Sequence, residues 1–144
     1  MPALFDKFGI RFQYPENWTL EIGADADQEG VTVYSPGGGF WSVVLRGADD
    51  DPAEVARLAL VALDDVYDEL DCEPVAETIA GQETVGFDVN FYCLDLTNTA
   101  QIRAIESGGR SYLLLCQAED REFEQIGSVF RAMTTSLLSG MPKA

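Results

Sequence analysis

The chain has 144 residues, 47% of them hydrophobic, and its 25 acidic against 9 basic side chains give a formal net charge of -16. That length supports one core and a single domain, 1–144, and that composition a folded rather than a disordered protein. Its negative field repels phosphate backbones and anionic headgroups, which excludes nucleic acid and membrane as partners and attracts a basic protein.

Met1 to Lys7 reaches charge before any long apolar run, so it lacks the core of a secretory signal and a cytoplasmic protein is expected. Phe8 to Leu20 reads as two short strands bent around Pro15-Glu16-Asn17, with Ile10, Phe12 and Tyr14 alternating against Arg11 and Gln13. Asp25 to Gly30 copies the first half of a calcium loop, but position twelve is Pro36 where a bidentate Glu is required, so the EF-hand fails. Strands over Val31–Ser35 and Phe40–Arg46 flank Pro36-Gly37-Gly38-Gly39, a hairpin connection. With no helix start or Walker lysine behind it, that loop is no phosphate cradle; beside Phe40 and Trp41 it is the expected mobile rim of any cleft.

Asp51, Pro52 and Glu54 open a helix as N-cap, first and third helical residues. Its expected inner face is Val55, Leu58, Ala59, Ala62, Leu63, Val66 and Leu70, extended by Leu60 and Tyr67, and it runs to about Asp71. The period then switches to two, with Val75 and Ile79 first, followed by a long half-buried strand from Val85 to Cys93 and a further one over Ala100–Glu106. Ser107-Gly108-Gly109 turns into Ser111–Gln117, apolar on both faces at its middle and so a central strand covered on both sides. Asp120 opens a closing helix that carries Phe123, Ile126, Phe130, Met133 and Leu137 on one stripe.

Short links between strands and two helices set apart in sequence predict an α+β fold: a single antiparallel β-sheet of six to eight strands flanked by two main helices. The order resembles the PsbP family of photosystem II extrinsic proteins, whose fold is shared with the Ran-binding nuclear-import factor of the Mog type and with bacterial proteins of unassigned role. Gly9-Ile10-Arg11-Phe12-Gln13-Tyr14-Pro15-Glu16-Asn17-Trp18 and the Phe123–Ser136 helix carry the resemblance. It implies an α/β/α sandwich and a protein that acts by binding other proteins; neither a photosynthetic nor a Ran-related role is carried over, because no residue here matches a known contact.

The chain has no histidine, which removes Ser-His-Asp and Cys-His hydrolysis and histidine metal sites. Lys7 and Lys143 lie near the ends of the sequence, which argues against a Ser-Lys or Schiff-base mechanism. Cys72, Cys93 and Cys116 have neither a disulfide nor a zinc spacing; Cys93 and Cys116 are expected inside the sheet, and Cys72 sits at an acidic helix end. Carboxylates are the remaining acid-base groups, and Asp88 facing Glu106 is the best pair for such an enzyme.

No cofactor, metal or catalytic residue is assigned. The expected interaction surface is the acidic group Asp64, Asp65, Asp68, Glu69 and Asp71, which opposes the helix dipole, together with the aromatics Trp41, Tyr92 and Tyr34. The reading is a non-catalytic protein-interaction module, an adaptor or chaperone-like protein with a basic partner; a homodimer is one way to cover the sheet edges. The alternative is a small-ligand binder or carboxylate enzyme whose cleft lies between sheet and helix, lined by Phe87, Phe91 or Trp41.

Overall fold

A computed structural model describes residues 2–23, 29–67 and 69–142. Along them run β1 (Pro2–Lys7), β2 (Ile10–Pro15), β3 (Thr19–Gly23), β4 (Gly30–Tyr34), β5 (Phe40–Leu45), α1 (Pro52–Val66), β6 (Asp71–Ile79), β7 (Gln82–Cys93), β8 (Leu96–Ser107), β9 (Arg110–Glu119) and α2 (Asp120–Ser139). One antiparallel seven-stranded sheet has the spatial order β3-β4-β5-β9-β8-β7-β6, and β1 pairs with β2 as a separate hairpin. The fold is α+β, as expected, with a helix on each face of one main sheet.

The central strand β9 divides its side chains between two cores. Tyr112, Leu114, Cys116 and Ala118 enter one core with Trp41, Val43, Phe130 and Leu137, beneath α2 and the β1-β2 hairpin. Leu113 and Leu115 pack on the other, where Val55 and Ala56 of α1 meet Val89, Phe91 and Ile102. Trp41 is the meeting point of the first core: its ring lies 4.8 Å from that of Phe12, and its Nε1 donates to Thr134 Oγ1 at 2.9 Å. A buried indole with its single donor satisfied fixes hairpin, sheet and helix against one another.

The chain does bend at Pro15-Glu16-Asn17, where the Trp18 amide donates to the Pro15 carbonyl at 3.0 Å. The strands on either side belong to different sheets: β2 pairs with β1, and β3 is an edge of the main sheet. No strand is expected from the sequence over Pro2–Lys7. It forms because Phe5 enters the first core and stacks on Phe12 at 5.1 Å, a tertiary gain that its local pattern does not announce.

Four connections are two-residue hairpins in which both loop residues have positive φ: Phe8-Gly9, Ala80-Gly81, Leu94-Asp95 and Gly108-Gly109. This is the type I′ geometry, whose twist matches that of the flanking strands and which favours Gly at the second position. Three of the four obey that preference, and Leu94-Asp95 does not.

Two expectations about α1 need correction. The helix stops at Val66, and Tyr67 turns to an extended backbone (φ -117, ψ 138) before β6 begins at Asp71. Asp64 and Asp65 oppose the negative helix end, no basic residue lies in its last turn, and Tyr67 gains a stack on Phe91 at 4.2 Å by leaving. The inner face also differs in part from the expected one: Val55, Ala59, Leu60, Leu63, Tyr67 and Leu70 pack inward as expected, Ala56 joins them, and Leu58 and Val66 are exposed instead, as is Val61. A helix apolar around more than half its circumference has no unique inner face by periodicity alone.

At Gly86 on β7, a Cβ would lie 1.7 Å from the Ile102 carbonyl oxygen of β8. Gly86→Ala is therefore expected to lose about 1–3 kcal/mol, the usual cost of forcing a group into filled space, as read from urea unfolding midpoints. Unchanged stability would show that the two strands can part there freely.

Candidate functional site

The register sets Arg103 opposite Gly86, where β8 backbone lies close against β7, and the guanidinium lies along the sheet beneath α2. Its side chain is 7% exposed. Nε donates to Glu77 Oε1 at 2.7 Å and Nη2 to Asp88 Oδ1 at 2.7 Å, while Nη1 donates to the carbonyls of Phe87 (3.2 Å) and Ile102 (2.9 Å). Arg131 of α2 adds a second cation, its Nη1 donating to Glu77 Oε1 at 3.0 Å. The group thus ties β6, β7, β8 and α2 together with two positive and two negative charges, and it is neutral as a unit.

Burial pushes the Glu77 carboxyl up, but hydrogen bonds and charges from Arg103 and Arg131 outweigh that and hold it below its ordinary value. For Arg103 burial acts downward, and its bonds to Glu77 and Asp88 leave it raised overall. Nearby, burial pushes the Cys116 thiol up to about 12, and its Sγ donates to Gln101 Oε1 at 3.6 Å, so it is an inert core thiol. Cys93 is half-buried and Cys72 exposed.

This neutral cluster replaces the expected carboxylate pair. Asp88 lies on the α2 face, paired with Arg103, whereas Glu106 alternates to the α1 face with Ala104 and Ile102, so the sheet separates them. A single strand's parity reveals this only once the partner register is known. Arg103 itself had a sequence signal, a cation inside the apolar run Ile102 to Ile105 of a central strand, where charge is kept only when paired.

The expected interaction residues separate as well. Asp64 and Asp65 lie exposed at the end of α1, Glu69 in the link with φ 55, and Asp71 at the start of β6; Asp68 lies outside the described residues. Asp25 to Gln28 of the broken calcium loop lie outside them too. Tyr92 and Tyr34 are exposed, but Trp41 is buried in the first core and presents nothing to a partner. Its strand places it between Val33 and Cys116, and the core needed the largest side chain there.

The expected cleft lining changes too. Phe91 and Trp41 are both buried, Trp41 lining a cavity of about 20 Å³ between sheet and α2, and Phe87 borders a groove, about 380 Å³, with Ala53, Ala56, Pro74, Ala76 and Val85 between α1 and the β6 edge. A second groove of about 460 Å³ runs between the Pro15-Asn17 turn and α2, over Tyr14, Pro15, Val129 and Met133. The Pro36–Gly39 loop is no rim. Ser35 Oγ accepts from the Gly39 amide and donates to Glu122 Oε2 at 3.0 Å, and the Glu122 carboxylate occupies the space where side chains at Gly37 and Gly39 would lie.

The chain matches no sequence-family model and no curated protein sequence. Among solved structures it is similar to the cyanobacterial PsbP (CyanoP) of Synechocystis, with 15% identity, a TM-score of 0.64, and 94% of this chain and 90% of that one covered. It is similar to a protein of unknown function and putative regulator from Pseudomonas aeruginosa, with 10% identity, a TM-score of 0.56, and 94% and 95% covered. It is also similar to LpqN of Mycobacterium tuberculosis, involved in cell envelope biogenesis, with 18% identity, a TM-score of 0.50, and 92% and 86% covered. At these identities the likeness shows a PsbP-like fold.

Because the folded Glu77 carboxyl is depressed, its stabilising contribution is present above the unfolded carboxylate value and is lost as pH falls through the folded one. Glu77→Gln is expected to destabilise at neutral pH by about 1–3 kcal/mol, the cost of weakening a buried charged hydrogen bond. The gap to the parent should narrow as pH drops below the ordinary carboxylate range, as read from Tm at several pH values. A gap constant with pH would mean that Glu77 acts by packing alone.

Proposed function

We propose that the chain is a non-catalytic protein-binding module of PsbP-like fold, an adaptor or chaperone-like protein whose partner is basic. The observation that carries this reading is a contrast in how charge is disposed. Inside the fold, Arg103 and Arg131 are matched by Glu77 and Asp88. Asp64 and Asp65 at the exit of α1, Glu69 in the following link and Asp71 at the start of β6 are all exposed, with no basic residue in the helix's last turn. Like charges beside a negative helix end cost stability, and a cationic partner returns it on binding.

Against catalysis stand the missing histidine and the pairing of Asp88, the acid-base residue that the enzyme alternative would use, with Arg103. A cytoplasmic setting belongs to the same proposal.

Proteins retained from native lysate at low salt should be released at high salt, and the triple variant Asp64→Asn, Asp65→Asn, Asp68→Asn should retain them several-fold less. Equal retention by the triple variant would remove this surface from the reading.

The groove beside Tyr14, Val129 and Met133 favours a second reading, a small-ligand binder, because its volume suits a small organic molecule and its floor is apolar. A metabolite that raises Tm in the parent and not in Met133→Gln would support it. A flat response across a metabolite set would remove it.

A further inference from the structure

Resting on the protein-binding reading above, we infer that the β7-β8 hairpin tip and the exit of α1 form one docking surface for a polypeptide segment with apolar anchors flanked by Lys or Arg. Large hydrophobic residues exposed on this surface are Val66 at the end of α1, and Tyr92, Leu94 and Leu96 of the hairpin. The helix exit reaches the hairpin through Tyr67, next to Val66, which stacks on Phe91 one residue before Tyr92. Tyr92 borders the tip from the α2 face, opposite Thr97.

Leu94 marks the tip as more than a connection. It has φ 54 and is 92% exposed. The other bulky or methyl-bearing residues that open a type I′ loop, Phe8 and Ala80, both pack against the first core. Leu94 takes the same costly backbone with Asp95, also at positive φ, in place of glycine, and packs on neither core. Local turn chemistry favours Asn-Gly there, and burial supplies no reason for leucine. A large apolar side chain held out on a rigid two-residue turn is a pre-ordered anchor for a complementary pocket.

The chemistry of the occupant follows from the rim. Asp64 and Asp65 precede Val66 on α1, Asp71 pairs with Asn90 of β7 and Asp95 shares the turn with Leu94, and all of these acids are exposed. Anionic lipid is repelled by such a rim, and a second copy would bring acidic rim against acidic rim. A basic, apolar segment satisfies both the anchors and the rim.

The test pans a random peptide library displayed on phage against the parent chain, with Leu94→Gly as counter-target. Leu94→Gly suits the positive φ and is expected to keep or raise Tm, so lost binding will not reflect lost folding. The expected result is enrichment of peptides with apolar residues flanked by Lys or Arg, which bind Leu94→Gly about tenfold more weakly or worse. Purely basic peptides, indifferent to Leu94→Gly but lost on Asp64→Asn with Asp65→Asn, would overturn the tip and leave the protein-binding reading standing. No enrichment at all would overturn both. Binding to phosphatidylglycerol vesicles, or a parent dimer in light scattering that Leu94→Gly dissociates, would assign the tip to lipid or to a second copy and overturn the inference. A fall in Tm for Leu94→Gly would show that the leucine serves the fold.

Discussion

An α-helix about 10 Å across covers roughly two strands spaced about 4.8 Å apart, and this sheet has seven strands with one helix on each face. Cover is therefore the constraint on which the remaining structure depends. On one face the shortfall is met twice over: the β1-β2 hairpin shelters β4 and β5, and α2 lies beside it, the two locked together through Phe12, Trp41 and Thr134. Where α2 reaches the later strands the sheet beneath it turns polar, with Glu77, Asp88 and Arg103 in place of leucines and Arg131 of α2 joining them. Charge buried under a helix has to be ionically self-sufficient, and Arg103 with its four acceptors meets that condition.

On the opposite face α1 shelters β7, β8 and β9, and small residues such as Ala53 and Ala56 bring its N-terminal half close to them. Its outward side sets exposed Leu58 and Val61 among the Glu54–Arg57 ion pair, Asp64 and Asp65. The two faces thus handle incomplete cover differently: one neutralises its polar groups internally, and the other leaves apolar groups and unmatched acids at the surface. That asymmetry separates structural charge from charge open to a partner more cleanly than the net value of -16 does.

Much of the architecture was legible because local and global signals agree. The doubly apolar Ser111–Gln117 run demanded cover on both faces, and β9 has it; the Asp51-Pro52 start and the Phe123–Leu137 stripe likewise specified helices that exist. What escaped depended on pairing. Whether Asp88 and Glu106 share a face is a property of the register between two strands, and the side of α1 that turns inward was undetermined while apolar residues ran around it. Trp41 has the composition of an interface anchor and the position of a core residue, and only the neighbouring strands decide between them. At the surface the legible part was charge. The apolar tip was not, because a leucine beside an aspartate announces no turn, and its backbone conformation is visible only in three dimensions.

The strand order has one more consequence. β6, β7, β8 and β9 are neighbours in sequence as well as in space, joined by turns of two residues, so each pairing closes a very short loop. β5 joins them only by pairing with β9 across the whole of α1 and the meander between. Closing that long loop costs the most chain entropy and is repaid only once Trp41 and Val43 meet Cys116 and Leu114. The β5-β9 seam is thus where a locally organised four-strand half is joined to the remainder of the chain, and the cooperativity of the whole molecule rests on it.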